Sequence, residues 1–222
     1  MGERRSIDPE HRAHLERSER VWNRRSDGYG RSERDFAPML DAAVERLGVG
    51  PGDAVLEVGC GPGTNFERLH DLVGPEGRIV AVDYSHAMVE RARERARENG
   101  FDNVDVIRGD ATRTAFEPAS FDAALASLSL SVTPDAEAAL RCVREALVPG
   151  GRLVVFDLQR IQSGPLRIVN PLVVAFLQWY GNWNPDEDVR AALRATFETV
   201  EVEATYTAGT TYRAVAEKAA DA

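Results

Sequence analysis

Lysine is nearly missing from this chain: Lys218 is the only one among 27 cationic side chains, and the rest are arginine. That skew is a mark of a GC-rich genome and also suits a salty cytoplasm; neither reading bears on activity. Cysteine is scarce too. Cys60 and Cys142 are the only two, which excludes a disulfide scaffold; with no CxxC and no Cys/His cluster, no metal site is expected either. No apolar run approaches the roughly 20 residues of a membrane span. Residues 1–22, MGERRSIDPEHRAHLERSERVW, lack an apolar core of signal-peptide type, so a cytoplasmic location is expected. Cations are outnumbered by 36 acids, for a net charge of −9, and a nucleic-acid partner is not expected.

What is present fits one globular domain with a small extension: 222 residues, 43% apolar and 28% charged. Residues 1–35 are densely charged and nearly balanced in sign. Asp8-Pro9 is a helix start, and Leu15 and Trp22, seven apart, share one narrow stripe, so this helix leans on something. A break is expected at 26–30. A helix over 36–47 follows, stopped by Gly48. Short apolar runs then alternate with helical stretches. Strands are expected at 54–58, 78–82, 104–108, 121–126 and 152–157, and helices at 63–73, 85–99 and 135–147. A further helix (185–196) and two β-rich runs (198–206 and 211–217) close the chain as a hairpin. Alternation of this kind means crossover units and a doubly wound, mostly parallel α/β sheet covered on both faces.

The sharpest segment is VLEVGCGPGT, residues 55–64, an apolar strand running into a glycine-rich turn and a helix. Ligands of open α/β sheets sit at the carboxyl ends of the strands. Gly59, Gly61 and Gly63 let the backbone approach one closely. The next strand ends in Asp83, placed to accept two hydrogen bonds from a ribose diol. The third ends in Arg108-Gly109-Asp110-Ala111, with a further carboxylate on the same rim. Three such features on successive strands point to a nucleoside-bearing cofactor. A nicotinamide-binding turn reads G-x-G-x-x-G, yet Thr64 stands where its third glycine would fall. Glu57, just ahead of the turn, is unfavourable near a pyrophosphate and harmless near an ammonium group.

VLEVGCGPGT, AVDYS, RGDA, FDAALASLSLS and LVPGGRLVVFD resemble the consecutive motifs of class I S-adenosylmethionine-dependent methyltransferases, over roughly residues 36–158. Within that class the likeness is to the C-methyltransferases of ubiquinone and menaquinone biosynthesis, through Ser127, Ala139-Leu140-Arg141 and 147–153. The resemblance implies a Rossmann-like, seven-stranded sheet with an antiparallel C-terminal hairpin and an N-terminal helical cap. The cap would be 1–35 and the methyltransferase domain 36–222, with an acceptor-side insertion at 159–184. S-adenosylmethionine would be the cofactor and S-adenosylhomocysteine the product. Gly59, Gly61 and Gly63 would line the methionine moiety, with Pro62 and Thr64 shaping the turn. Asp83 would hold the ribose, with Tyr84 beside it and Met88 under the adenine. Asp110 would accept from the adenine amino group while the Ala111 N–H caps a ring nitrogen. Ser127 would face the sulfonium, and Tyr29 would close over the cofactor.

Where the quinone enzymes carry Arg-Asn, this chain has Ser131-Val132, so their acceptor chemistry does not transfer with the motifs. The acceptor is expected to be a small, apolar molecule of quinone, phenol or lipid type. Residues 165–183, PLRIVNPLVVAFLQWYGNW, are the least polar segment. Three readings stay open for them: core helix, lid over an acceptor pocket, or contact with a membrane surface. None of the four histidines (His11, His14, His70, His86) is assigned as a base. Residues 91–98, RARERARE, read as a solvated helix face with local ion pairs. Two rivals remain, an NAD(P)-dependent oxidoreductase and a non-catalytic S-adenosylmethionine-binding regulator. The oligomeric state is left open.

Overall fold

The computed structural model describes residues 8–26 and 29–220, the side chains of 29–35 excepted. Seven strands form one sheet in the order β3-β2-β1-β4-β5-β7-β6. These are β1 (Ala54–Val58), β2 (Arg78–Asp83), β3 (Val104–Arg108), β4 (Phe121–Ser127), β5 (Leu147–Leu158), β6 (Thr199–Tyr206) and β7 (Thr211–Glu217). β1 to β5 pair in parallel, and β7 pairs antiparallel with both β5 and β6. The winding therefore reverses between β1 and β4, which opens a crevice at their carboxyl ends.

Successive residues of the central strands enter opposite cores, as the pleat dictates. Val55, Ile79 and Val154 pack with Leu40 and Leu47 and with Leu69 and Val73. Leu56, Val80 and Leu153 pack on the other face with Leu140, Val143 and Leu193. Each side chain so buried contributes about 1.5–3 kcal/mol, which is why these strands read as unbroken apolar runs.

The helices are α1 (Pro9–Arg25), α2 (Tyr29–Val44), α3 (Phe66–Val73), α4 (His86–Glu98), α5 (Ala136–Ala146), α6 (Asn170–Gly181) and α7 (Val189–Thr196). Side-chain caps fix four starts: Asp8 accepts from Glu10 N–H, Ser85 from Met88, Asp135 from Ala138 and Asp188 from Ala191. Four elements differ from expectation, the helix expected from 63 beginning at Phe66. The helix expected from 36 begins at Tyr29 and carries Pro38 inside it, giving way to a 3-10 turn at Glu45–Leu47 that Gly48 ends at φ 69°. Strand β5 starts at Leu147, because Leu147 pairs with Phe121 ahead of a register shift in which 149–151 extend the strand. The helix expected from 185 starts at Val189, where Asp188 supplies the cap.

Candidate functional site

The turn after β1 is held by its neighbours. Gly59 and Cys60 N–H donate to the Val82 carbonyl at 2.8 and 3.1 Å, and Ser129 Oγ donates to the Val58 carbonyl at 2.8 Å. The three glycines, all at positive φ, then separate by what surrounds them. A Cβ on Gly59 would sit 2.3 Å from Ser129 Cβ, and one on Gly63 would sit 2.5 Å from the Phe66 ring. A Cβ on Gly61 would meet nothing within 4 Å, because that position faces an open cleft. Gly59 also lines the cleft; Pro62 and Gly63 do not, and they serve the turn itself.

The cleft is lined from β1 by Val58, from β2 by Val82 and Asp83, from the turn after it by Tyr84 and Ser85, from α4 by Met88, and after β3 by Gly109, Asp110 and Ala111. Ser127, Leu128 and Ser129 close it after β4, with Val132, Thr133 and Pro134 beyond. Asp83, Tyr84, Met88, Asp110, Ala111 and Ser127 thus line one cleft. Asp83 accepts from Gly61 N–H at 2.9 Å and from Ser85 N–H at 2.8 Å, so each carboxylate oxygen has one partner and capacity for another. Burial pushes its carboxyl upward, against the pull of those two N–H donors.

Glu57 does not line the cleft. It is fully buried, and Oε1 accepts from Asn65 Nδ2 at 2.7 Å, while the same amide donates to Ser127 Oγ at 3.0 Å. Glu57 Oε2 and Asn65 Oδ1 are buried without a partner, two acceptors short of a donor. Burial, reinforced by the charge of Asp83, raises the Glu57 carboxyl to about 8. Tyr29 belongs to α2 by its backbone, and its side chain lies outside the described residues.

The helix expected at the N-terminus roofs the cleft, but sequence reading named none of its residues for the site. Leu15, Ser18, Glu19 and Trp22 line the cleft from α1, and the Leu15–Trp22 stripe was the only sign of it. Polar contacts pin the helix in place. His11 Nε2 lies 2.9 Å from Asp110 Oδ2, Glu19 pairs with Arg108 at 2.7 Å, and Asn23 Oδ1 accepts from Ser85 Oγ at 2.8 Å. His14, held below its ordinary value chiefly by burial, donates from Nε2 to the Val132 carbonyl at 2.8 Å. Asn182 Nδ2 donates to Ser18 Oγ at 2.7 Å, joining α1 to the end of α6. Leu128 was missed as well. It adopts the left-handed φ of 52° directly after β4, a conformation that costs a non-glycine residue about 1–3 kcal/mol and gathers at ligand sites.

Among the described residues, three carboxylate side chains, Glu19, Asp83 and Asp110, line this cleft, and no lysine, arginine or histidine does. Such a lining favours a ligand rich in donors and positive charge, and it opposes the two negative charges of a pyrophosphate. S-adenosylmethionine fits on that ground. Its ribose hydroxyls, adenine amine, ammonium and sulfonium are the donors and positive charges that such a lining would favour, and Gly61 leaves space that any side chain would fill. With α1 in place the cavity measures about 100 Å³, below the roughly 300–1,000 Å³ usual for cofactor sites.

Residues 55–151 match the family described as "Methyltransferase domain". This segment is a class I S-adenosylmethionine-dependent methyltransferase domain. It stands close to the ubiquinone/menaquinone C-methyltransferase group. The ubiquinone/menaquinone biosynthesis C-methyltransferase of Teredinibacter turnerae is 33% identical over 124 residues, 55% of this chain and 50% of that protein. A 2-phytyl-1,4-naphthoquinone methyltransferase of Synechococcus elongatus is 36% identical over 126 residues, 56% and 54% of the two chains. The chain thus spans about half the length of these curated relatives that it matches. Among solved structures, the [4+2]-cyclase SpnF superposes with a TM-score of 0.66 at 22% identity, over 83% of this chain and 81% of its own. That likeness concerns the fold.

Proposed function

We propose that this chain transfers a methyl group from S-adenosylmethionine to a small, apolar acceptor of quinol, phenol or lipid type. The observation that carries the reading is the cleft lined by Asp83 and Asp110 at the carboxyl ends of β2 and β3 and by Glu19 on α1 across from them, with no cationic side chain among its described lining residues. Asp83 would hold the ribose. Asp110 and the Ala111 N–H would take the adenine, flanked by Tyr84 and Met88. Gly59 and Gly61 would admit the methionine moiety, with Glu57 beneath it and Ser127 at the sulfonium end. When bound, the cofactor supplies a methyl carbon made electrophilic by its sulfonium.

What the chain's own residues contribute is alignment and exclusion of water. Val58, Val82, Met88, Leu128, Val132 and Pro134 give the cleft apolar walls, and an in-line displacement gains most from reactants held in register in a dry site. Asn65 fixes Ser127 and Glu57 relative to each other. The quinone-acting relatives support an apolar acceptor, and so does the apolar segment 165–183 that meets α1 through the Trp22–Tyr180 edge contact.

Incubation with methyl-labelled S-adenosylmethionine and extracts of quinols, phenols and lipids tests the reading. Label is expected in an organic-soluble product. Tight binding of S-adenosylhomocysteine with no transfer to any of these extracts would replace it with a cofactor-binding protein that does not turn over.

A further inference from the structure

Five of the six large hydrophobic side chains that stand exposed among the described residues lie in one stretch of 14 residues: Leu166, Ile168, Leu172, Phe176 and Trp179. Ile168 is 84% exposed, Leu172 74% and Trp179 70%. From Ile168 they follow at spacings of four, four and three along the 3-10 turn and α6. That places them on one stripe about 16 Å long at the helical rise. Contiguous apolar surface of this kind marks an interaction site rather than scatter.

The charge around the stripe is equally one-sided. No Asp or Glu occurs in residues 158–185 of a chain that has 36 acids; Arg160 and Arg167 are the only charged residues there. A third cation arrives from α1. The Arg25 guanidinium lies 4.2 Å from the centre of the Tyr180 ring and 5.3 Å from that of Trp179, at the edge of the stripe. Tyr180 stacks in turn on Phe176, with ring centres 5.7 Å apart. An otherwise acidic molecule thus presents one apolar, aromatic face rimmed by arginine.

We infer that this face docks on an anionic lipid surface. Aliphatic and aromatic side chains would enter the headgroup boundary, and Arg25 and Arg167 would meet lipid phosphates. Aromatic rings are suited to that boundary, where one side is apolar and the other wet. A second copy of the chain fits less well. Five side chains fall far short of the roughly 20–30 residues a side of a stable protein interface, and a two-fold contact through this face would bring its arginines together. The inference does not depend on which acceptor is methylated.

Flotation of the full chain with phosphatidylglycerol/phosphatidylcholine vesicles, and with phosphatidylcholine alone, tests it. Binding is expected to the anionic vesicles and to weaken with salt. In the double variant Ile168→Asp/Leu172→Asp it is expected to fall about tenfold or more. Both side chains are exposed, so the variant is expected to keep the affinity of the full chain for S-adenosylhomocysteine. That second measurement separates failure of this inference from failure of the cofactor reading. Absence of the full chain from anionic vesicles, equal binding by the double variant, or variant-sensitive self-association in place of vesicle binding would each overturn it.

Discussion

His11 Nε2 lies 2.9 Å from Asp110 Oδ2, joining the first helix to the carboxylate at the end of β3. The other oxygen of Asp110 is already occupied, accepting from Thr112 N–H at 3.0 Å and Thr112 Oγ at 2.8 Å. The oxygen open to an adenine amino group is therefore the one that His11 holds. The same contact helps to keep α1 across the cleft.

His11→Ala is thus expected to speed the association of S-adenosylhomocysteine several-fold, because a competitor for Asp110 and one latch of α1 are removed together. Stopped-flow fluorescence reads the rate, since Trp22 lines the cleft. A slower association would mean that His11 helps to form the bound state.

Glu57 gives a pH dependence with a definite sign. Its carboxyl is raised to about 8, so the free protein carries that proton at pH 7. A cationic ammonium placed above it would favour the ionised form, and binding would release the proton. Affinity for S-adenosylhomocysteine should then rise with pH towards about 8 and level off above it. At pH 7, calorimetry in buffers of different ionisation heat should report close to one proton released. Glu57→Gln should abolish that release; its persistence in the variant would place the titrating group elsewhere.

The glycines make a graded set. Gly61→Ala should leave the fold in place at a cost of about 1–2 kcal/mol for a side chain in the left-handed region, yet cut cofactor affinity at least about tenfold by filling the cleft. Gly63→Ala should act through stability, since its Cβ would overlap Phe66. Thermal melts and S-adenosylhomocysteine titrations on the two variants separate these effects. Equal affinity in Gly61→Ala and the parent chain would remove Gly61 from the site.

Asp83 has two duties, so its loss should show in two measurements. Asp83→Ala leaves the Gly61 and Ser85 N–H groups without their acceptor, which costs about 1–3 kcal/mol for each group left buried and unpaired. Denaturant unfolding should register that loss while cofactor titration registers a second one. A stable variant with unaltered affinity would contradict both roles.

The strands were legible because a parallel strand buried on both faces must be apolar at nearly every step, as IVAV at 79–82 is. Motif positions at strand ends followed from the same alternation, and Asp83, Asp110 and Ser127 do converge. Start points were harder to read. Val-Pro-Gly-Gly at 148–151 reads as a turn, and only the pairing of Leu147 with Phe121, absent from local sequence, makes it strand. The N-terminal helix was legible as a cap, but its contacts were not: His11 and Asp110 are 99 residues apart, and no periodicity encodes such a contact. Gly61 and Gly63 look alike in sequence, and only the neighbours of a missing Cβ tell them apart.

The central claim is that the carboxylate-lined cleft takes an adenosyl cofactor bearing positive charge and refuses one carrying a pyrophosphate. Calorimetric titration of the full chain with S-adenosylhomocysteine and, in parallel, with NADH tests it most directly. The account predicts micromolar binding of the first, weakened by Asp83→Ala, and no measurable heat from the second. Micromolar binding of NADH with none of S-adenosylhomocysteine would contradict it.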